Sequence, residues 1–213
     1  MTARIHPTAI VEAGVEIGEG TSIWDSVHIR APARIGRNCI VGEKTYIAYD
    51  VTIGDLVKIN AFTYICAAVT IEQGVMIAAG VMFTNDMYPR ATWDFSALRS
   101  SAPDETTLPT WVREGATIGA GAVIGCDLEI GRFAMVGMGS VVTRSVADFH
   151  LVVGNPALAI GYVCRCGHPF HRFTKGSAPD VEKATCAKCS LSYRVDHGRV
   201  TEILSTAQPE AKR

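Results

Sequence analysis

Residues 17–29 read Ile17-Gly18-Glu19-Gly20-Thr21-Ser22-Ile23-Trp24-Asp25-Ser26-Val27-His28-Ile29, with an isoleucine at every sixth position. Stepping by six in both directions extends the series without a slip from Ile5 and Val11 through Ile35, Val41, Ile47, Ile53, Ile59, Ile65, Ile71 and Ile77 to Phe83. It lapses there and resumes at Val112, Ile118, Ile124, Ile130, Val136 and Val142. Four residues after each aliphatic stands something small or β-branched, as at Ala9, Val15, Thr21, Val27, Ala33, Cys39, Thr45 and Val51. One residue after it glycine or alanine recurs (Gly18, Gly36, Gly42, Gly54, Gly119). Three residues after it comes a turn former (Gly14, Gly20, Asn38, Asp50, Gly74), suited to the positive φ of a tight corner.

A period of six does not fit the 3.6-residue helix, and Ile, Val and Gly at this density disfavour one. Each hexad is therefore one short strand and one corner, its aliphatic stacked on equivalents in the coils above and below at about 4.8 Å. Three hexads close a triangular coil. The expected fold is all-β, a parallel β-helix over residues 1–161 with about six to seven coils and a length of about 30 Å.

Residues 84–111 leave the rhythm entirely and carry Pro89, Pro103, Pro109, Trp93 and Trp111. An insertion of this length in an otherwise unbroken solenoid marks function. The composition narrows the class further. The 213 residues are 48% hydrophobic and 19% charged, with a formal net charge of −1. No basic footprint for nucleic acid and no cationic face for a membrane follows from that balance. No apolar run is long enough to span a bilayer and the N-terminus lacks a signal-peptide pattern, so the expected compartment is the cytoplasm.

Of the seven cysteines, Cys39, Cys66 and Cys126 are scattered through the repeats. Cys164, Cys166, Cys186 and Cys189 crowd together with metal-ligand spacing. They predict a zinc ribbon over residues 162–204, with His168 or His171 as substitute ligands. So few core aliphatics hardly fold without such a staple, and four thiolates leave no open coordination position for catalysis. Residues 205–213 are expected to be a disordered tail.

The stretch Val81-Met82-Phe83-Thr84-Asn85-Asp86-Met87-Tyr88-Pro89-Arg90 resembles the Phe-Thr-Asn-Asp-x-x-Pro-Arg signature of N-acetyltransferases that modify nucleotide-linked 3-amino sugars. Gly137-Met138-Gly139-Ser140-Val141-Val142-Thr143-Arg144 and Val153-Gly154-Asn155-Pro156-Ala157 are similar to the ending shared by hexapeptide acyltransferases at large. The likeness covers residues 5 to 161. It implies a left-handed coil, a homotrimer, acetyl-CoA as co-substrate and a UDP- or dTDP-linked amino sugar as acceptor. Asn85 occupies the place where many relatives carry a histidine base. An amide takes up no proton near neutral pH, which points to an amine acceptor that Asn85 orients. The departing CoA thiolate is one acceptor of the amine proton and Asp86 a second, and His28, outward in its hexad, is a third catalytic candidate. Tyr88, Arg90, Asn60 and Tyr64 are candidate substrate contacts. Ala120, Gly137 and Met138 permit close approach of a pantetheine arm, and Arg144 offers a fork to a CoA phosphate.

Three rivals follow from the same residues. An O-acetyltransferase lacks its base at Asn85. A γ-type carbonic anhydrase needs three convergent histidines, and the repeats hold only His6, His28 and His150. A non-catalytic scaffold leaves the inserted segment unexplained.

Overall fold

The computed structural model describes residues 2–100, 102, 104–174 and 179–203, so the expected tail over 205–213 lies outside the described residues. Almost every hexad forms a strand of two or three residues ending on its aliphatic, as in Ser22–Ile23, His28–Ile29 and Ala33–Ile35. The strands stack in three sheets, with Ile5 opposite Ile23, Val11 opposite Ile29 and Ile17 opposite Ile35. The chain is a left-handed parallel β-helix, and among the described residues it has no helix. None is therefore long and apolar enough to cross a membrane.

The register explains the sequence pattern. The strand-end aliphatics and the small residues two positions before each strand's end converge on one axial core, where Ile29, Ile47, Val57, Ile65 and Ile77 are fully buried. The corner glycines serve two separate needs. At the third position after the aliphatic, φ is positive in most hexads and not at glycine alone: 73° at Gly20, 56° at Asn38, and also 60° at Leu56. At the first position the demand is close approach, since a Cβ on Gly54 would lie 2.7 Å from the backbone nitrogen of Gln73 in the next coil.

Within the expected span of 1–161, the last coil departs from the hexad spacing. Strand His150–Val153 adds to the first sheet beside Met135–Val136, ten residues after Val142 instead of six, so its spacing hid it. That sheet then turns antiparallel through Leu158–Val163 and Pro169–Arg172. A three-stranded meander of Val181–Thr185, Ser192–Asp196 and Arg199–Ile203 completes the C-terminal module. Its core of Tyr162, Cys164, Cys186, Tyr193 and Val195 packs on Phe149 and Phe133 from the last coils. Strand Leu158–Val163 thus passes across residue 161 and belongs to both parts.

Candidate active site

The inserted loop leaves the corner after strand Met82–Phe83 in the second sheet and returns at Thr110–Val112 in the third. Thr84 anchors the exit, donating from its N–H (3.0 Å) and its hydroxyl (3.3 Å) to the carbonyl of Ile124. The two arms are then stitched together. The Asn85 carbonyl accepts the Leu108 N–H at 2.9 Å, and Asp86 forms an antiparallel bridge with Thr107. Asn85 and Asp86 are half-buried in this neck, where the Asp86 carboxylate accepts the Tyr88 N–H at 3.1 Å.

A cleft of about 480 Å³ opens beside the neck. Loop residues Asn85, Asp86, Arg90 and Arg99 form one wall, and Tyr46 and Tyr64 on the outer face of the second sheet form the other. Its floor is Ala48, Cys66 and Ala67, all buried. Burial pushes the Cys66 thiol up to about 12, so this floor is neutral and unreactive.

The tyrosine wall is part of a ladder built by the coil register, which sets His28 opposite Tyr46 and Tyr46 opposite Tyr64. Tyr46 and Tyr64 stack with centroids 5.2 Å apart at 7°, and His28 meets Tyr46 edge-on at 5.4 Å. Below them the Glu12 carboxylate accepts the Ala31 N–H at 3.0 Å and lies 3.3 Å from His28 Nε2 and 3.2 Å from Arg30 Nε. The Ala31 hydrogen bond, assisted by His28 and Arg30, holds the Glu12 carboxyl below its ordinary range. Arg30 enters the cleft with its guanidinium 5.4 Å over the Tyr49 ring.

Four of the expected residues, Asn85, Asp86, Tyr64 and Arg90, therefore converge on one cleft. His28 does not line it; the imidazole sits lower on the ladder beside Glu12. Tyr88 points outward, 83% exposed. Asn60 lies at the corner between the first and second sheets, where its carbonyl accepts the hydroxyls of Thr63 (2.9 Å) and Thr45 (3.2 Å). Ala120, Gly137 and Met138 lie along that same corner in later coils. Gly137 is explained there by packing, because a Cβ would meet Val153 Cγ1 at 2.6 Å. Arg144 is exposed at the corner column that carries the loop, after strand Val141–Val142. Tyr46, Arg30 and Arg99 were not anticipated. For Tyr46 the signal was present: His28, Tyr46 and Tyr64 recur at three-hexad intervals, one per coil.

The four C-terminal cysteines also converge. Their Sγ atoms all lie within 4.8 Å of one another, with Cys164–Cys189 at 3.4 Å and Cys166–Cys186 at 3.6 Å. Tetrahedral thiolates at a Zn–S distance of about 2.3 Å stand about 3.8 Å apart, so the donor set fits that ion. His168 and His171 are outside the cluster.

Residues 14–49 match the family model described as bacterial transferase hexapeptide (six repeats). Across 203 residues, 95% of this chain and 96% of the relative, the sequence is 42% identical to dTDP-3-amino-3,6-dideoxy-alpha-D-galactopyranose 3-N-acetyltransferase of Aneurinibacillus thermoaerophilus. The chain belongs to the hexapeptide-repeat sugar N-acetyltransferases. Solved members of this fold include AntD, an N-acyltransferase from Bacillus cereus, in complex with dTDP-4-amino-4,6-dideoxyglucose and coenzyme A. It aligns with a TM-score of 0.56 and 24% identity over 69% of this chain and 82% of that one. The acetyltransferase domain of PglB from Neisseria gonorrhoeae aligns with a TM-score of 0.52 and 20% identity, over 74% of this chain and 57% of that one. Both share the coil with this chain.

Proposed function

We propose that the chain transfers acetyl from acetyl-CoA to the 3-amino group of a dTDP-linked 3-amino-3,6-dideoxyhexose. The observation that carries this reading is the neck of the loop: Asn85 faces the cleft, and no histidine lines it among the described residues. A sugar hydroxyl needs a base to become nucleophilic, whereas an amine with a pKa near neutrality needs chiefly alignment. The Asn85 amide oxygen accepts a hydrogen bond from the amine and directs its lone pair to the thioester carbonyl carbon. The C–N bond forms and the C–S bond breaks. The amine proton passes to the departing thiolate, whose thiol has a pKa of about 8.5, or to Asp86. The neutral floor of Ala48, Cys66 and Ala67 suits a methyl at C6. Near full-length kinship with the A. thermoaerophilus enzyme supports the same acceptor class.

A thiol-release assay with acetyl-CoA and a panel of dTDP- and UDP-linked 3-amino sugars tests the assignment. Turnover is expected on the dTDP-linked 6-deoxy sugar, with Asn85→Ala lowering kcat about tenfold to a thousandfold, the range for losing one preorganised contact. No release with any amine, or full activity in the variant, rejects it.

Three finer features belong to the same proposal. The cysteine cluster binds structural zinc, supported by its thiol spacing and checked by metal analysis of the purified chain. The protein works as a homotrimer in the cytoplasm, where acetyl-CoA and nucleotide sugars are available. Exposed apolar side chains on the sheet faces (Ile10, Ile40, Met82) and at the loop tip (Phe95, 95% exposed) support assembly. A monomeric mass by light scattering would remove that element.

A further inference from the structure

Three guanidiniums reach the cleft, those of Arg30, Arg90 and Arg99, and their surroundings differ. Arg30 is committed to an ion pair, its Nε 3.2 Å from the Glu12 carboxylate. Arg90 donates from Nη1 to the carbonyl of Pro89 at 3.1 Å, and neither it nor Arg99 forms an ion pair among the described residues. Arg99 is nevertheless held in place. Its Cζ stands 4.1 Å over the ring of Trp93, and its N–H donates to the Ala91 carbonyl at 2.9 Å. A bridge between Thr92 and Leu98 closes the segment that carries both partners. Stacking occupies the face of a guanidinium and leaves its N–H edges free.

Asp104, the loop carboxylate within electrostatic reach of Arg99, is turned onto its own backbone. It accepts the hydroxyl (2.6 Å) and the N–H (2.8 Å) of Thr106. Those two bonds hold its carboxyl below the usual range, and Arg99 adds to the effect through space. Among the described residues the loop wall thus presents two cations that form no ion pair, one of them half-buried and oriented by an aromatic ring. An unpaired cation at a cleft is the complement of an anion, and a pair of forks is the complement of two linked phosphates.

We propose that Arg90 and Arg99 form the receptor for the diphosphate of the nucleotide-linked acceptor, with Trp93 as the positioning residue that aims the Arg99 fork. This rests on the nucleotide-sugar reading above. A diphosphate held on the loop wall leaves the attached hexose to reach the neck, where Asn85 and Asp86 stand. The chain therefore prefers nucleoside diphosphate sugars to sugar monophosphates or free amino sugars.

Titration calorimetry on the full chain at fixed salt, with dTDP, UDP and thymidine as probes, tests the clamp. Arg99→Ala is expected to weaken binding of the preferred nucleoside diphosphate by about tenfold or more, and Arg99→Lys and Trp93→Ala by less. Thymidine binding stays unchanged in every variant. In turnover, KM for the nucleotide sugar rises in Arg99→Ala while kcat holds. If Arg99→Ala binds the diphosphate within about twofold of wild type, the clamp is wrong and the acceptor reading stands. Equal losses for thymidine and dTDP reduce Arg99 to a structural role and also overturn it. A wild-type chain that binds neither dTDP nor UDP overturns the clamp and the acceptor reading together.

Discussion

Along the prism, Ile23, Val41, Ile59 and Ile77 repeat one environment coil after coil, each buried by its neighbours above and below. Past the last coil the chain holds itself differently. The C-terminal module gathers Tyr162, Phe170 and Tyr193 around four thiols, with Phe170 stacked on Tyr193 at 4.5 Å. The prism spreads its stability over many equivalent aliphatics, as solenoids do. The module concentrates it in one cluster, as small domains with little core must. The lesson is that a single lesion should have opposite consequences in the two regions, graded in the prism and total in the module.

The largest effect expected is therefore on the module. If the proposed structural zinc is bound, a strong chelator should unfold it, because such zinc contributes about 10–16 kcal/mol of apparent binding free energy. Limited proteolysis read by mass spectrometry should then show cuts within residues 181–203 while the coils stay protected. Unchanged protection would break the contrast.

In the prism, Ile65→Ala removes a fully buried side chain and leaves a cavity between coils. A loss of about 2–5 kcal/mol in denaturant unfolding is expected, with the fold retained. A cost below about 1 kcal/mol would mean that the coils collapse around voids far better than close-packed cores do.

A smaller effect sharpens the module's side. The Tyr193 hydroxyl accepts the Arg165 N–H at 3.2 Å and stands 3.0 Å from Cys164 Sγ. Tyr193→Phe should reduce metal affinity about tenfold to a hundredfold, measured by chelator competition, as loss of a partner to a metal ligand does. Equal affinity would show that Cys164 needs no such support.

The smallest concerns a corner of the prism. Asp55 accepts the Arg37 N–H at 2.7 Å and its guanidinium at 3.0 Å, tying one coil to the next. The backbone bond first, then the side-chain bond, hold the Asp55 carboxyl below its ordinary 3.8. A depressed carboxyl stabilises above the unfolded value and loses that contribution as pH falls through it. Thermal midpoints of wild type should therefore drop more steeply below pH 3.8 than those of Asp55→Asn, though only slightly at so exposed a site. Parallel profiles would refute this.

The coils were legible in the sequence because each hexad repeats the same physical demand: an aliphatic inward, a small residue beside it, a corner. What broke that spacing was not. His150–Val153 lies within the expected 1–161 but off the hexad count, because Val152 stands ten residues after Val142. The four cysteines could be paired with one another by spacing alone. Asn85, Asp86 and Arg90 were readable because they sit in one contiguous motif. Arg99 was not, since its partner Trp93 reaches it only through the bridge of Thr92 with Leu98. Tyr46 shares the cleft by virtue of a coil register that a linear reading does not trace unless residues are compared at triple spacing.

The strand Leu158–Val163 has a consequence for how molecules of this kind meet. Being shared by prism and module, it carries the first sheet past the last coil with antiparallel neighbours, and Pro169–Arg172 becomes the edge. At the opposite rim, Arg4–Ile5 has a partner on one side only, and Ile5 is 46% exposed. Among the described residues the first sheet thus ends in a strand paired in parallel at one rim and a strand paired antiparallel at the other. Head-to-tail stacking of two copies would therefore set unlike edges of this sheet against each other.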